Sequence, residues 1–374
     1  MSEAVQDKIY LSPPTMLGEE KDYLQDVFSS NWISSVGPQL TSLESELSRL
    51  SSRKYGVALN SATAAIHLGL LELGVSKNDT VLCATFSFVA SANPITYLGA
   101  KPVFVGIEKD TWNMCPVLLE EAIETEILKG KKPKAIVLVH SYGMPAKVDE
   151  ILAITNQYNI PVLEDAAAAL GSVYKNKPCG SFGKIGVFSF NGNKIITTSA
   201  GGVLLTNYEN VKESVLKLAT QAKEASFGYE HKQVGYNYRM SNVLAGIGLG
   251  QLDSLKEFVN KRHYNHNFYK EELLGLDIEI LQDTSETKSN HWLTCVLFKT
   301  KDIRDSIFNT LEKKHIESRP LWNPLHLQEA FKGTSYYGDK TSEDYFNRGL
   351  CLPSGYELTD EQLTRIIDLI KSCL

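Results

Sequence analysis

Between residues 55 and 206, short apolar runs alternate with helical patterns, and this alternation leaves few folds open. The sequence predicts strands at residues 55–59, 81–84, 102–105, 135–139, 161–165 and 185–189. Helical patterns lie between several of them, for example at residues 62–73 and 148–154. Strands joined through helices form right-handed crossovers and a mostly parallel sheet with both faces covered. We therefore expect an α/β fold built on a mostly parallel central sheet.

Beyond residue 250 the pattern changes. Helical stretches become longer and more charged, as at residues 252–274, and strands become fewer, with one predicted at 292–298. An amphipathic helix is predicted near the end, at residues 361–370. A chain of 374 residues suits two domains. We predict a large α/β domain over residues 1–250, including an N-terminal arm, and a smaller α+β domain over residues 251–374.

The composition is that of a globular protein, with 43% hydrophobic and 22% charged residues. A net charge of -6 argues against nucleic-acid binding through bulk charge. The six cysteines form no C-x-x-C pair, which favours reduced thiols. Residues 1–8 lack the features of a signal peptide, and no apolar run reaches the roughly 20 residues of a membrane span. We expect a cytoplasmic protein without a membrane partner.

Two charged residues stand at the ends of predicted strands, where open α/β sheets bind their ligands. Asp165 ends one apolar strand and is followed by four alanines. Its alternative role is that of a helix N-cap. Lys194 follows another strand and precedes the small residues Ala200 to Gly202. A lysine in a confined loop can act as an amine nucleophile, although a lone lysine is more often a solvated charge.

A third candidate is the Asn-Ser-Ala-Thr segment at residues 60–63, which joins a strand to a helix. Backbone N–H groups at such a helix start bind anions, and simple capping by Asn60 or Ser61 is the alternative. No Walker lysine and no G-x-G-x-x-G motif follows it. The glycines at 246, 248 and 250 follow no predicted strand, so close helix packing explains them better. Together, the three candidates offer what pyridoxal phosphate requires: an anion cradle, a carboxylate for the ring nitrogen and a lysine for the aldehyde.

At this point the chain resembles the DegT/DnrJ/StrS family of sugar aminotransferases, from about residue 9 to its end. The most specific matching stretches are residues 60–63, 164–167, 188–194 and 235–240. The resemblance implies the fold type I architecture of aspartate aminotransferase and pyridoxal 5'-phosphate as cofactor. It implies no metal.

The resemblance also assigns roles residue by residue. Lys194 matches the Schiff-base lysine, and Asp165 matches the partner of the pyridine nitrogen. Phe88 matches the aromatic residue that stacks on the cofactor. The phosphate cradle corresponds to Ala62, Thr63 and Ser189. Asn237 matches a residue that reaches the cofactor phosphate of the neighbouring subunit, which implies a homodimer with shared active sites.

The substrate is less closely defined by the resemblance. Residues 318–326 and 347–355 are similar to enzymes that aminate C4 of a UDP-linked 4-keto-6-deoxy-N-acetylhexosamine, as in bacillosamine biosynthesis. The amino donor would be L-glutamate, and the product would serve surface polysaccharide or glycan biosynthesis. The residues expected to contact the nucleotide sugar are Arg239, Arg319, Trp322 and His326. A GDP- or dTDP-linked keto sugar, of perosamine or 3-amino type, stays open, as does a non-catalytic descendant.

Ala168 departs from the family pattern. The family usually has Glu, Gln or His here, whose side chain can hydrogen-bond near the cofactor's 3-oxygen, whereas alanine offers no polar group. We expect a weakened activity or a changed substrate preference, with cofactor binding retained. A smaller departure is Ala200, where glycine is common. Relatives that dehydrate sugars have histidine in place of the lysine, so Lys194 favours amino transfer.

Overall fold

A computed structural model describes residues 8–374. Of the N-terminal residues 1–8 considered for a signal peptide, all but the last lie outside the described residues. The helices are α1 (Glu20–Ser29), α2 (Pro38–Leu50), α3 (Ala62–Glu72), α4 (Asn93–Tyr97), α5 (Pro116–Leu128), α6 (Val148–Gln157), α7 (Glu209–Ala219), α8 (Asn242–Asp253), α9 (Leu255–Glu272), α10 (Lys301–Lys313), α11 (Thr341–Arg348) and α12 (Asp360–Lys371). The strands are β1 (Tyr55–Leu59), β2 (Thr80–Ala84), β3 (Lys101–Val105), β4 (Ala135–Val139), β5 (Val162–Asp165), β6 (Val173–Tyr174), β7 (Lys177–Pro178), β8 (Ile185–Ser189), β9 (Gly202–Thr206), β10 (Ile278–Ile280), β11 (Thr287–Lys288), β12 (Thr294–Phe298), β13 (Arg319–Pro320), β14 (Tyr336–Tyr337) and β15 (Gly349–Leu352).

Eight of these strands form the central sheet, in the order β1-β9-β8-β5-β4-β2-β3-β14. The pairs from β8 to β14 are all parallel, whereas β9 runs antiparallel to both β1 and β8. The prediction of a mostly parallel sheet is therefore confirmed. All six strands predicted for this sheet are present, and three of them, β1, β4 and β8, have the predicted bounds.

Helices cover both faces of this sheet. Alternate residues of β1 belong to different apolar clusters, with Val57 and Leu59 in one and Ala58 in the other. The first cluster includes residues of α3, α5, α6 and α7, and the second includes residues of α2 and α8. This is the two-residue period of a strand buried on both sides. The arrangement leaves the ends of the strands as the place for a ligand.

The glycines of α8 allow close helix packing, as the sequence indicates. A Cβ atom on Gly250 would lie 2.5 Å from the backbone nitrogen of Glu20 at the start of α1, and a Cβ on Gly248 would lie 2.9 Å from the side chain of Thr198. Both contacts are closer than a Cβ atom accepts. The glycine-rich segment therefore packs helices and forms no nucleotide loop.

The smaller sheet, β10-β12-β15-β13, is antiparallel. It shares an apolar core with α9, α10 and α12. Two features cross the predicted boundary at residue 250: β14 joins the edge of the large sheet beside β3, and Ile9 packs into the core of the small sheet. The division into residues 1–250 and 251–374 stays a prediction. Among the described residues, no helix combines the length and apolar character needed to cross a membrane.

Candidate active site

A cavity of about 820 Å³ lies at the carboxyl ends of the parallel strands. Asp165 ends β5, Ser189 ends β8, and the segment after β1 contributes the start of α3. Residues from the small-sheet side, including Trp292 and Arg319, form another part of the wall. The residues expected at the site that line the cavity are Ala62, Thr63, Phe88, Asp165, Ser189, Lys194, Arg319 and Trp322.

The carboxylate of Asp165 is buried, with 4% of the residue exposed, and is held on both oxygens. The hydroxyl of Ser91 donates a hydrogen bond to Oδ2 at 2.6 Å, and the backbone N–H of Ala167 donates to Oδ1 at 3.1 Å. Ser87 lies 2.7 Å from the Ser91 hydroxyl and extends the chain of hydrogen bonds. No helix begins after Asp165, so the N-cap alternative is wrong. The carboxylate is fixed in place and lines the cavity.

The neighbouring Glu164 has a different environment. Its fully buried carboxylate accepts hydrogen bonds from His140 at 3.0 Å and from the backbone N–H of Gly180, and the guanidinium of Arg53 lies 3.9 Å away. Burial acts to raise the pKa of Glu164, but these partners hold it below its ordinary value. Glu164 does not line the cavity, since successive residues of a strand face opposite sides. Asp165 is therefore the β5 carboxylate available to a ligand.

Lys194 is half-buried, and its amine lies 3.8 Å from the centroid of the Trp292 ring. Burial lowers the pKa of Lys194 to about 8, and the charge of Asp165 opposes part of that effect. Within residues 8–374, the amine forms no hydrogen bond to another side chain. The alternative of an ordinary solvated lysine is wrong. At pH 7, about a tenth of this amine is uncharged and able to react with a carbonyl group.

The opposite end of the cavity suits an anion. Ser61 caps α3 by accepting a hydrogen bond from the N–H of Ala64 at 3.1 Å, so the capping role of this segment is confirmed. Capping leaves the first N–H groups of the helix, at Ala62 and Thr63, without partners inside the helix. A Cβ on Gly202 would lie only 2.4 Å from the nitrogen of Ala62, so glycine is required where β9 approaches the helix start.

These groups fit pyridoxal phosphate by their chemistry. Lys194 offers an amine to the aldehyde, and Asp165 offers a carboxylate to the ring nitrogen. The start of α3 and the hydroxyl of Ser189, which has no partner in the described part of the chain, suit the phosphate. Phe88 is 57% exposed while lining the cavity, so its ring is free to cover a bound ring.

Two residues expected at the nucleotide-sugar site lie outside the cavity. Arg239 forms an ion pair with Glu44 and donates to the backbone oxygen of Ala58 at 2.8 Å. His326 stacks on Tyr336 with ring centroids 3.7 Å apart and lies 2.6 Å from the Thr85 hydroxyl. Neither side chain lines the cavity of its own chain, whereas Arg319 and Trp322 do. The assignment of all four residues to the nucleotide sugar stays a prediction.

Asn237 also lies outside the cavity of its own chain. Its residue is exposed, and its backbone oxygen accepts a hydrogen bond from Asn60 at 3.2 Å. The described residues offer no partner for its side-chain amide. This position leaves the amide free for a contact beyond the chain.

Sequence reasoning missed several residues of the cavity wall, among them Ser91, Tyr142 and Trp292. Tyr142 stacks on Trp322 with ring centroids 4.1 Å apart, and Trp292 lies beneath Lys194. Ser91 sits in the helical segment after β2, and its small side chain gave no signal. Trp292 is the first residue of the predicted strand 292–298, where an aromatic side chain indicates burial in the hydrophobic core and not a ligand contact.

Most of the chain matches known proteins. The model of the DegT/DnrJ/EryC1/StrS aminotransferase family covers residues 14–371. The chain belongs to this family. It is 46% identical to the "Putative pyridoxal phosphate-dependent aminotransferase EpsN" of Bacillus subtilis (strain 168), over 97% of this chain and 95% of that protein.

Other members of the DegT/DnrJ/EryC1/StrS family support this assignment. GDP-perosamine synthase of Escherichia coli O157:H7 is 35% identical over 96% of both chains. The "Putative sugar aminotransferase Spr1654 from Streptococcus pneumoniae, PLP-form" superposes with a TM-score of 0.89 at 29% identity, covering 98% of this chain and 100% of that one. The predictions of the fold, of an aminotransferase and of pyridoxal phosphate as its cofactor are confirmed.

Proposed function

We propose that this chain transfers an amino group from L-glutamate to the C4 keto group of a nucleotide-linked 4-keto-6-deoxy sugar. A UDP-linked N-acetylhexosamine is the acceptor that we put first. The observation that carries the proposal is the presence of Lys194 and Asp165 in one cavity whose outer wall contains Arg319 and Trp322. An amine and a carboxylate suit the cofactor, and the outer wall leaves room for a larger second ligand.

Pyridoxal phosphate, when bound, supplies an aldehyde and an electron-accepting ring. Lys194 would hold the aldehyde through its Nζ atom, since burial lowers the pKa of this amine to about 8 and leaves part of it uncharged. When not bound to the aldehyde, the same Nζ atom would be able to take and return a proton. Asp165, held by hydrogen bonds from Ser91 and the backbone of Ala167, would offer its carboxylate to the ring nitrogen. The chain therefore provides a base and a fixed counter-charge in one place.

Arg319 and Trp322 support an acceptor that carries phosphate and a ring. Arg319 is exposed, and Glu317 binds its Nε and one terminal nitrogen, with a closest distance of 2.7 Å. The other terminal nitrogen has no partner within residues 8–374. An arginine suits a diphosphate because its planar group donates hydrogen bonds in pairs. Trp322 stacks on Tyr142 and presents an apolar wall to the cavity.

A GDP-linked 4-keto sugar is the second candidate acceptor. The named function of a 35% identical relative, GDP-perosamine synthase, favours it. The two candidates share the 4-keto group and the diphosphate, and they differ in the base and in the N-acetyl group.

We also propose a homodimer with shared active sites. Several large apolar side chains are exposed on the single chain, among them Trp32, Ile33, Phe227 and Tyr229. An exposed apolar surface of this kind is typical of an interface. The free amide of Asn237 agrees with a contact to the cofactor phosphate of a second copy. The cytoplasm is the proposed compartment, since all six cysteines are free thiols.

The experiment is an amination assay with purified protein, pyridoxal phosphate, L-glutamate and UDP-, GDP- and dTDP-linked 4-keto-6-deoxy sugars. The expected result is an amino sugar from the UDP-linked N-acetylhexosamine, detected by mass spectrometry, together with 2-oxoglutarate. Product from only the GDP- or dTDP-linked sugars would overturn the proposed acceptor. No product from any of them would overturn the proposed reaction on such sugars.

A further inference from the structure

Arg262 of α9 is a buried cation without a counter-ion. Only 3% of the residue is exposed, and no carboxylate of the described residues forms an ion pair with it. Its guanidinium donates instead to three oxygens: the backbone oxygen of Trp292 at 3.1 Å, the backbone oxygen of Ser354, and the hydroxyl of Ser12 at 2.8 Å. Burying a charge without an ion-pair partner costs several kcal/mol in general. A residue retained at this cost calls for an explanation.

The partners of Arg262 converge on the residue before Lys194. The Ser12 hydroxyl donates to the backbone oxygen of Asn193 at 2.8 Å, and Nε1 of Trp292 donates to the same oxygen at 2.6 Å. A guanidinium can only donate hydrogen bonds, so the Ser12 oxygen accepts from it and the Ser12 proton is directed to Asn193. Arg262 therefore orients the Ser12 hydroxyl toward Asn193 and holds the backbone of Trp292, the second donor to Asn193.

The same contacts fix the Trp292 ring. Arg262 binds its backbone oxygen, and Asn193 binds its ring nitrogen, so the residue is held at both ends. The ring lies 3.8 Å from the Lys194 amine, measured to its centroid. A loss of either contact frees the ring to move and lets water approach the amine.

We propose that Arg262 is a positioning residue that holds the Lys194 amine in its partly desolvated place, acting through Ser12, Trp292 and the carbonyl of Asn193. The inference rests on the proposed function, in which Lys194 is the reactive amine. The hydrogen bonds of Arg262 and Ser12 join α9 and the N-terminal segment to the loop that carries Asn193 and Lys194. Arg262 itself contacts neither Lys194 nor a reacting atom.

The test measures the reactivity of Lys194 in the full-length chain stripped of cofactor. Trace acetic anhydride is applied at a series of pH values, and acetylation of Lys194 is quantified by peptide mass spectrometry. The unsubstituted chain should show a midpoint near pH 8, because burial lowers the pKa of Lys194 to about that value. In Arg262→Gln, water reaches the amine, and the midpoint should rise by about one pH unit.

Two further variants separate positioning from general stability. Ser12→Ala removes one donor to Asn193 and leaves Arg262 in place, so its midpoint should rise in the same direction. Arg304→Gln is the control for the loss of a buried arginine, since Arg304 is 5% exposed in the same half of the chain, pairs with Asp305 at 2.6 Å and donates to the backbone oxygen of Phe346. Its midpoint should stay that of the unsubstituted chain.

An unchanged midpoint in folded Arg262→Gln and Ser12→Ala would overturn the proposal, and so would an equal rise in Arg304→Gln. If Arg262→Gln does not fold, Ser12→Ala against the Arg304 control decides the question alone. Acetylation needs neither cofactor nor sugar. A failure of the aminotransferase proposal would appear in the amination assay and in no result of this experiment.

Discussion

The amine of Lys194 lies 3.8 Å from the ring centroid of Trp292, although the two residues stand 98 positions apart in the sequence. An aromatic face favours the charged form of an amine, whereas burial disfavours it. Burial dominates here and lowers the pKa of Lys194 to about 8. The site thus keeps an amine that exchanges its proton near neutral pH, and it does so with residues from both halves of the chain.

The desolvation of Lys194 should cost stability. A lysine whose pKa is lowered in the folded state is penalised most at a pH below that folded value, and the penalty disappears as the pH rises to the unfolded value of 10.5. Lys194→Met should therefore raise the free energy of unfolding by about 1 to 3 kcal/mol at pH 6.5. Denaturant unfolding of the cofactor-free chain at several pH values measures this gain. It should shrink between pH 8 and pH 10.5.

The control for this stability prediction is Lys177→Met, which replaces an exposed lysine on β7. It should give no gain that depends on pH. A Lys194→Met chain that is no more stable at pH 6.5, or whose gain grows at alkaline pH, would contradict the assigned environment.

The hydrogen bond from Ser91 to Asp165 should affect catalysis. At 2.6 Å, it fixes the carboxylate that we assign to the ring nitrogen of the cofactor. Ser91→Ala should lower kcat/KM about tenfold, because one hydrogen bond to a charged group is lost. Steady-state rates of amino transfer measure this. Ser87→Ala touches Ser91 and not Asp165, so its loss should be smaller, and equal losses in the two variants would refute the assignment.

Ala168 presents an apolar side chain to the cavity, where the family resemblance leads us to expect a polar one. The residue is buried at the cavity, and its backbone oxygen is already bound by Asn290 at 2.8 Å. Ala168→Glu should change the rate for at least one nucleotide-linked keto sugar by about tenfold while cofactor binding survives. Ala168→Met controls for the size of the side chain. An Ala168→Glu enzyme with unchanged rates for every keto sugar would contradict the prediction that the side chain at position 168 affects activity or substrate preference.

Asn237 tests the shared active site. Its side-chain amide has no partner in the described residues, so Asn237→Ala should leave the stability of the single chain unchanged. If the amide binds the cofactor phosphate of the other subunit, the dissociation constant of the cofactor should rise about tenfold. Fluorescence titration of a dimer verified by light scattering measures this. Asn210→Ala, at an exposed position on α7, should have no effect, and the same null result for Asn237→Ala would argue against sharing.

The sequence predicted what depends on local pattern. The β-branched run of β4 and the apolar run of β8 bury both faces, so their bounds followed from hydrophobicity alone. Asp165 and Lys194 were found because strand ends are where such sheets bind ligands. The start of α3 was predicted because a capping serine followed by small residues is typical of a helix N-terminus.

The sequence could not show which way a side chain turns. Arg239 and His326 do not line the cavity of their own chain, since Arg239 pairs with Glu44 and His326 lies against the hydroxyl of Thr85. Trp292 was missed because its contact with Lys194 joins two distant segments, and no periodicity reports such a contact. The strand β14 was not predicted for the same reason, since its two residues form a strand only through their pairing with β3.

The most direct measurement is reduction of the cofactor-loaded protein with borohydride, followed by peptide mapping. Reduction turns a reversible bond between the aldehyde and an amine into a stable one, and the modified lysine is then read from the masses of the peptides. The result expected is a single phosphopyridoxyl group on Lys194, absent from Lys194→Ala. Modification of another lysine in its place, or of none, would contradict the assignment of Lys194 as the amine that holds the cofactor.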